Sequence, residues 1–216
     1  DDAFFARRAA AAVAKRAAMF DAGHTAARLV HAESDGLPGI IADRYADTIV
    51  VQLLSAGADA HRDSIVDALV AATGVTSVVE RSDAEVRVLE GLAPATGVIR
   101  GRLASNVAIR EDGIAYVVDV LAGQKTGFYL DQRVNRRIVR EHAAGRRVLN
   151  AFCYTGGFTL AAIAGGAREV LSIDSSQAAL AQGRANLAAN PSLAGVRARW
   201  KDEDVFSELR ALRNAG

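Results

Sequence analysis

Apolar residues recur at helical spacing through the first part of the chain: Phe5, Ala9, Ala12, Val13, Met19 and Phe20, with Arg7, Arg8, Lys15 and Arg16 between them. That period predicts an amphipathic helix over residues 2–22 that needs a partner surface. Three β-branched or alternating runs follow, ARLVHAE, GIIADRY and TIVVQLL, punctuated by the turn residues of Ser34–Gly39 and by Ala46-Asp47. They predict a meander of strands. A helix is expected from Ala60 to Ala72, then a strand at SVVERSD, a looser stretch around Glu90-Gly91 and Pro94, and a turn-like RGRLASN that places a domain boundary near Ser105.

Beyond the boundary the pattern changes. A hairpin turning at Asp112-Gly113 leads into the polar loop AGQKTG. From Phe128 onward helical and strand periods alternate: DQRVNRRIVREHA, RRVLNAF, a glycine turn, TLAAIAGG, EVLSID, QAALAQGRANLAAN, VRARWKD and the start of another helix. Alternation of this kind implies a parallel sheet with crossover helices, of which about three strands are laid down by Gly216. The fold class read from the sequence is therefore α/β: a mixed domain over residues 1–105, then the first part of a Rossmann-like domain over residues 106–216.

Composition narrows the picture. With 50% hydrophobic and 24% charged residues among 216, the chain can build real cores, which argues against disorder. A net charge of +1 excludes a global polycation, so any nucleic acid must be met by a local basic patch. One cysteine, Cys153, rules out an intrachain disulfide, and His24, His31, His61 and His142 are too scattered for a zinc motif. The arginines interrupting the first apolar stretch fit neither a signal peptide nor a membrane span, and a cytoplasmic protein is expected.

The candidate chemistry lies at strand ends. In an open α/β sheet ligands bind beyond the carboxyl ends of the strands, nearest the turn after the first. Here that turn is Asn150-Ala151-Phe152-Cys153-Tyr154-Thr155-Gly156-Gly157. Its glycines come late rather than as G-x-G-x-x-G, which disfavours a dinucleotide and suits a cofactor without a pyrophosphate. Asp174, followed by Ser175, ends the next strand, where a carboxylate can accept from both hydroxyls of a ribose. Asp202 or Asp204, the latter followed by Val205, ends the third, where it could meet an adenine amino group. Arg133, Arg136, Arg137 and Arg140 share one helical stripe that could neutralise RNA phosphates or simply be solvated.

The runs Gln124–Arg133 and Val148–Phe158 resemble the bacterial large-subunit ribosomal RNA methyltransferase I family, which makes 5-methylcytosine. Glu33–Gly39, Asp43-Arg44-Tyr45 and Arg81-Ser82-Asp83 look like that family's central domain. The resemblance implies S-adenosylmethionine as cofactor and 23S ribosomal RNA as partner, with a homodimer left open. It implies cofactor contact by Lys125, Thr126, Gly127, Phe128, Asp131, Gln132 and Arg133, with Thr126 to Phe128 as a lid. RNA contact is expected at Arg136, Arg137 and Arg140. It also implies that an RNA-binding PUA domain precedes this chain and that an Asp-Pro-Pro motif and the catalytic cysteine lie beyond Gly216, leaving no catalytic residue here and an inactive piece. Where the family more often has serine, this chain has Cys153, read as a small structural residue rather than a nucleophile. Two other readings stay open: methylation of another RNA base, a small molecule or a protein, and a non-catalytic RNA-binding module.

Overall fold

The computed structural model describes residues 1–104 and 106–214 and divides into two units. The first comprises Asp1–Gly113 with Val118–Leu130, the second Ile114–Val117 with the chain from Asp131. The boundary expected near Ser105 falls outside the described residues. The observed division instead assigns residues 118–130 to the first unit.

In the first unit, five strands pair in chain order: β1 (Ala26–His31), β2 (Ile40–Tyr45), β3 (Thr48–Leu53), β4 (Ser77–Ser82) and β5 (Ala95–Arg100). The first three form the expected antiparallel meander, β4 lies parallel to β3, and β5 returns antiparallel. Between β3 and β4 the crossover is made by α3 (Ala56–Ala60) and α4 (Arg62–Thr73), and α1 (Asp2–Ala14) packs along α4. Alternate positions of the central strands, Ile40 and Ala42, then Ile49, Val51 and Leu53, join Ala9 and Ala12 of α1 and Ile65, Val66 and Leu69 of α4 in one core. Small residues at Ala9 and Ala12 let the helix backbones approach closely.

The single helix expected over residues 2–22 is broken into α1 and α2 (Ala17–Asp21). Arg16 stands at the break: its guanidinium donates to the carbonyls of Ala12 and Arg28 and makes a fork onto both oxygens of Asp35 at 2.8 and 2.6 Å. The stretch read as loose contains α5 (Val86–Leu89) and β5, a strand so exposed that it shows no apolar alternation.

In the second unit, β8 (Arg147–Ala151), β9 (Glu169–Asp174) and β10 (Arg197–Asp202) form a wholly parallel sheet, ordered β10-β9-β8. The connecting helices are α7 (Gly157–Ala164) and α8 (Gln177–Ala188), with α6 (Arg133–His142) packed on α7 and α9 (Val205–Asn214) following β10. Ala162, Ile163, Ala167 and Val170 centre the core. Two further strands, β6 (Val107–Glu111), which belongs to the first unit, and β7 (Ile114–Val118), flank a turn at Asp112 (φ 49°) and Gly113 (φ 82°), the left-handed pair that the sequence placed there. Among the described residues no helix is long and apolar enough to cross a membrane.

Candidate cofactor site

The turn leaving β8 is held in an unusual backbone shape. Phe152 (φ 57°), Tyr154 (φ 47°) and Gly156 (φ 78°) all adopt left-handed conformations, which cost a non-glycine residue of order 1–2 kcal/mol each and persist only where the surroundings impose them. Here the surroundings are explicit. Cys153 N–H donates to the Ile173 carbonyl at 3.0 Å, and Gly156 N–H donates to the Cys153 carbonyl at 2.9 Å. Tyr154 N–H donates to Asp174 Oδ2 at 2.7 Å, and the Thr155 carbonyl accepts from Asn186 Nδ2 at 3.0 Å.

Glycine at 156 has a steric cause. A Cβ there would stand 2.5 Å from Trp200 Cη2, and one at Gly183 of α8 would stand 2.5 Å from Trp200 Cζ3. The Trp200 indole, from β10, thus sets its outer edge into a slot left by two neighbouring glycines, one in the turn and one in the adjacent helix.

Asp174 sits at the carboxyl end of β9, half-buried. It accepts from Tyr154 N–H through one oxygen and from Ser176 N–H at 3.0 Å through the other. A carboxylate has about four acceptor positions, so two remain for a ligand's hydroxyls. Ser175 beside it is exposed, and Ser176 caps α8 by accepting from Ala179 N–H. Asn150 donates to Thr159 Oγ1 at 2.8 Å, and Thr159 meets Ser172 at 2.7 Å. That side chain therefore ties strand to helix, and Ala151 beside it is half-buried.

Past β10, Asp204 is exposed and accepts from Ser207 N–H at 2.8 Å at the start of α9. Ser207, through its hydroxyl and its N–H, holds the Asp204 carboxyl below its ordinary value. Val205 points into the core, 3% exposed, so its side chain takes no part in a surface site. Its neighbour Phe206, not anticipated from the sequence, is exposed and meets the exposed Phe152 edge to face at 5.4 Å. Phe152, Tyr154 to Gly157, Asp174, Ser175 and the start of α9 accordingly gather at the carboxyl ends of three parallel strands. Cys153 is buried there. Burial, then the Asp174 charge, pushes its thiol up to about 12, so it carries no thiolate near neutral pH.

The rest of the expected cofactor set divides between the units. Lys125, Thr126, Gly127 and Phe128 belong to the first, where the back of its sheet holds them. Arg28 forks onto Asp43 at 2.8 and 2.9 Å, Thr126 Oγ1 donates to Asp43 Oδ2 at 2.5 Å, Tyr45 OH donates to Thr126 Oγ1 at 2.7 Å, and Phe128 N–H donates to Tyr45 OH at 3.2 Å. Burial and then the Asp43 charge raise the Tyr45 hydroxyl above its ordinary range, so it keeps the proton this chain of bonds needs. Arg81 likewise donates to the carbonyls of Val120 and Gly123. These contacts are why residues 118–130 belong to the first unit. Thr126 and Phe128 are buried, and the Lys125 ammonium lies 4.6 Å over the Tyr129 ring.

Asp131, Gln132 and Arg133 open the second unit at the start of α6, where Gln132 Oε1 accepts from Asn135 Nδ2 at 2.9 Å. The arginine stripe expected on α6 is not uniform. Arg136 is 3% exposed, Arg133 and Arg140 are half-buried, and Arg137 alone of the four is exposed. The uncovered flank carries Val134 and Ile138 at i, i+4 spacing, so the stripe is corrected to a single exposed arginine among apolar residues. A buried Arg136 is not available to a phosphate.

Known proteins resemble this chain over its whole length. Proteins named Ribosomal RNA large subunit methyltransferase I from Tolumonas auensis and Photobacterium profundum are each 48% identical to this chain, over 100% and 99% of it and 55% and 54% of their own lengths. The chain thus spans about half the length of the curated relatives it matches. Among solved structures, a protein assigned as a SAM-dependent methyltransferase from Streptococcus mutans superposes with a TM-score of 0.87 at 28% identity, covering 100% of this chain and 56% of that one. A second, described as a methyltransferase complexed with SAH, gives 0.88 at 28% identity, covering 100% of this chain and 55% of that one. A family model described as S-adenosylmethionine-dependent methyltransferase matches residues 81–216, a span that takes in every strand of the parallel sheet and the whole of the clamped turn. The chain belongs to the S-adenosylmethionine-dependent methyltransferase family.

Proposed function

We propose that this chain carries the cofactor-binding part of an S-adenosylmethionine-dependent methyltransferase that acts on 23S ribosomal RNA and forms 5-methylcytosine. The observation that carries the cofactor reading is Asp174: it locks the turn through Tyr154 N–H and keeps two acceptor positions for the ribose hydroxyls of an adenosine. Asp204 and the exposed Phe152 and Phe206 stand at neighbouring strand ends, where an adenine would lie. S-adenosylmethionine would supply the electrophilic sulfonium methyl. The ribosomal RNA reading draws its support from the names of relatives about half identical over the whole chain.

Methylation at carbon 5 of cytosine requires a thiolate to add at carbon 6. Cys153, buried and with its thiol at about 12, does not fit that role. The nucleophile therefore comes from outside these residues, and the isolated chain binds cofactor without transferring methyl. Incubating the chain with ribosomal RNA and labelled S-adenosylmethionine, beside the full-length Tolumonas auensis relative, tests this by mass spectrometry of the digested nucleosides. The expected result is 5-methylcytosine with the relative and none with the chain. Methyl transfer by the chain alone, or a nitrogen-methylated product from the relative, overturns the assignment.

A further inference from the structure

Asn186 lies in α8 with its side chain fully buried, where asparagine is a poor helix former and a buried amide is costly unless bonded. Its bonds explain it. Oδ1 accepts from Val117 N–H at 2.8 Å and from Gln182 Nε2 at 3.2 Å, while Nδ2 donates to the Thr155 carbonyl at 3.0 Å. The orientation of the amide is dictated by its partners. Toward Asn186, Val117 turns its N–H and Thr155 its carbonyl, so the flipped amide would oppose like with like.

One turn along, Asn190 does a related job. It accepts from Ala115 N–H and donates back to the Ala115 carbonyl, both at 2.8 Å, and donates to the Asn186 carbonyl at 2.7 Å. Gln182 donates to the Val117 carbonyl at 3.2 Å. Together Gln182 and Asn186 of α8 and Asn190 just beyond its end present the backbone of Ile114–Val117 with a substitute strand edge. Only Asn186 of the two asparagines also reaches the turn. There it completes a clamp on one peptide unit: the Thr155 carbonyl is held by Asn186 and the Gly156 N–H by the Cys153 carbonyl, in the segment whose neighbours Tyr154 and Gly156 are left-handed.

We propose that Asn186 is a positioning residue for the cofactor turn, fixing the Thr155–Gly156 peptide by tying its carbonyl to β7 through one buried amide. This rests on the reading that the turn binds S-adenosylmethionine. Without the amide, the Thr155 carbonyl loses one of the two hydrogen bonds that hold its peptide plane, and only the Gly156 N–H bond to the Cys153 carbonyl resists its rotation through the flexible Gly156.

The sole tryptophan, Trp200, packs against Gly156 and gives a direct readout. Asn186→Asp turns an isosteric oxygen toward the Thr155 carbonyl and Asn190→Asp toward those of Ala115 and Asn186, so the two are compared at matched loss of thermal midpoint. In the ligand-free protein, Asn186→Asp is expected to shift Trp200 emission and Asn190→Asp to leave it. In calorimetry with S-adenosylhomocysteine, Asn186→Asp is expected to weaken binding roughly tenfold more than Asn190→Asp. Should Asn186→Asp not fold, Asn186→Ser is read in the same way. Equal emission and equal affinity in the two variants overturn the positioning role. No binding by the unsubstituted chain overturns the cofactor reading instead, and the emission comparison then still decides the clamp.

Discussion

Replacing Gly183 by alanine sets two opposed effects against each other. In a helix interior the substitution gains about 1 kcal/mol of propensity. Against that, the new Cβ would stand 2.5 Å from Trp200 Cζ3 and 2.8 Å from Cη2, about 1 Å inside ordinary contact. The same ring edge already meets Gly156, whose own virtual Cβ stands 2.5 Å from Cη2, so the indole cannot simply slide along the turn to make room. Overpacking of a filled site costs about 1–3 kcal/mol, so the net expectation is a loss of up to about 2 kcal/mol and a displaced indole. Urea unfolding followed by Trp200 fluorescence reads both at once. Gly57, in α3 with nothing within 4 Å of its virtual Cβ, is the control, and its alanine variant is expected to gain up to about 1 kcal/mol. If Gly183→Ala were stabilised as much as Gly57→Ala, with unchanged emission, the packed slot and the reason for its two glycines would both be wrong.

Three further outcomes are expected. Asp35 is held far below the usual carboxylate range by the Arg16 fork, helped by His31 N–H and Lys15. A depressed folded value means its stabilisation is complete above the unfolded pKa of about 4 and drains away as pH falls further. Asp35→Asn should thus cost about 2 kcal/mol near neutral pH, and a gap to the unsubstituted chain that failed to narrow below about pH 4 in urea titrations would contradict this. Cys153 should resist a thiol reagent at mildly alkaline pH while the chain is folded and react at once in concentrated denaturant, and rapid labelling of the native chain would count against its burial. Tyr45→Phe removes the donor to Thr126 and the acceptor for Phe128 N–H, with an expected loss of about 1–3 kcal/mol by chemical denaturation. A neutral result would show that the hydroxyl does not hold residues 126–128.

The parts that were legible from the chain are those governed by local period. The alternation from Phe128 onward became a parallel sheet with crossover helices, and Asp112-Gly113 became a left-handed turn, because both depend on neighbouring residues. What escaped depends on partners far away in sequence. Asp43, Tyr45 and Arg81 reach residues 120–128 across some 39 to 83 positions, which is why turn residues near 105 suggested a boundary and the packing made another. Arg136 has the spacing of a solvated stripe and is nonetheless buried, since period alone does not say which side of a helix is covered.

The site divides the same way. Asn150–Gly157, Asp174 and Asp204 could be placed at strand ends by counting elements. Asn186, Trp200 and Phe206 could not, although two asparagines four residues apart, in an alanine-rich helix and just past its end, were a usable sign of a buried polar face.

Calorimetric titration of the chain with S-adenosylhomocysteine, beside Asp174→Asn and Asp174→Ala, tests most directly the proposed recognition of the cofactor through Asp174. Saturable binding by the unsubstituted chain is expected, with a loss of at least tenfold in both variants, because charge-assisted hydrogen bonds to two hydroxyls are removed. Equal affinity in all three would contradict it.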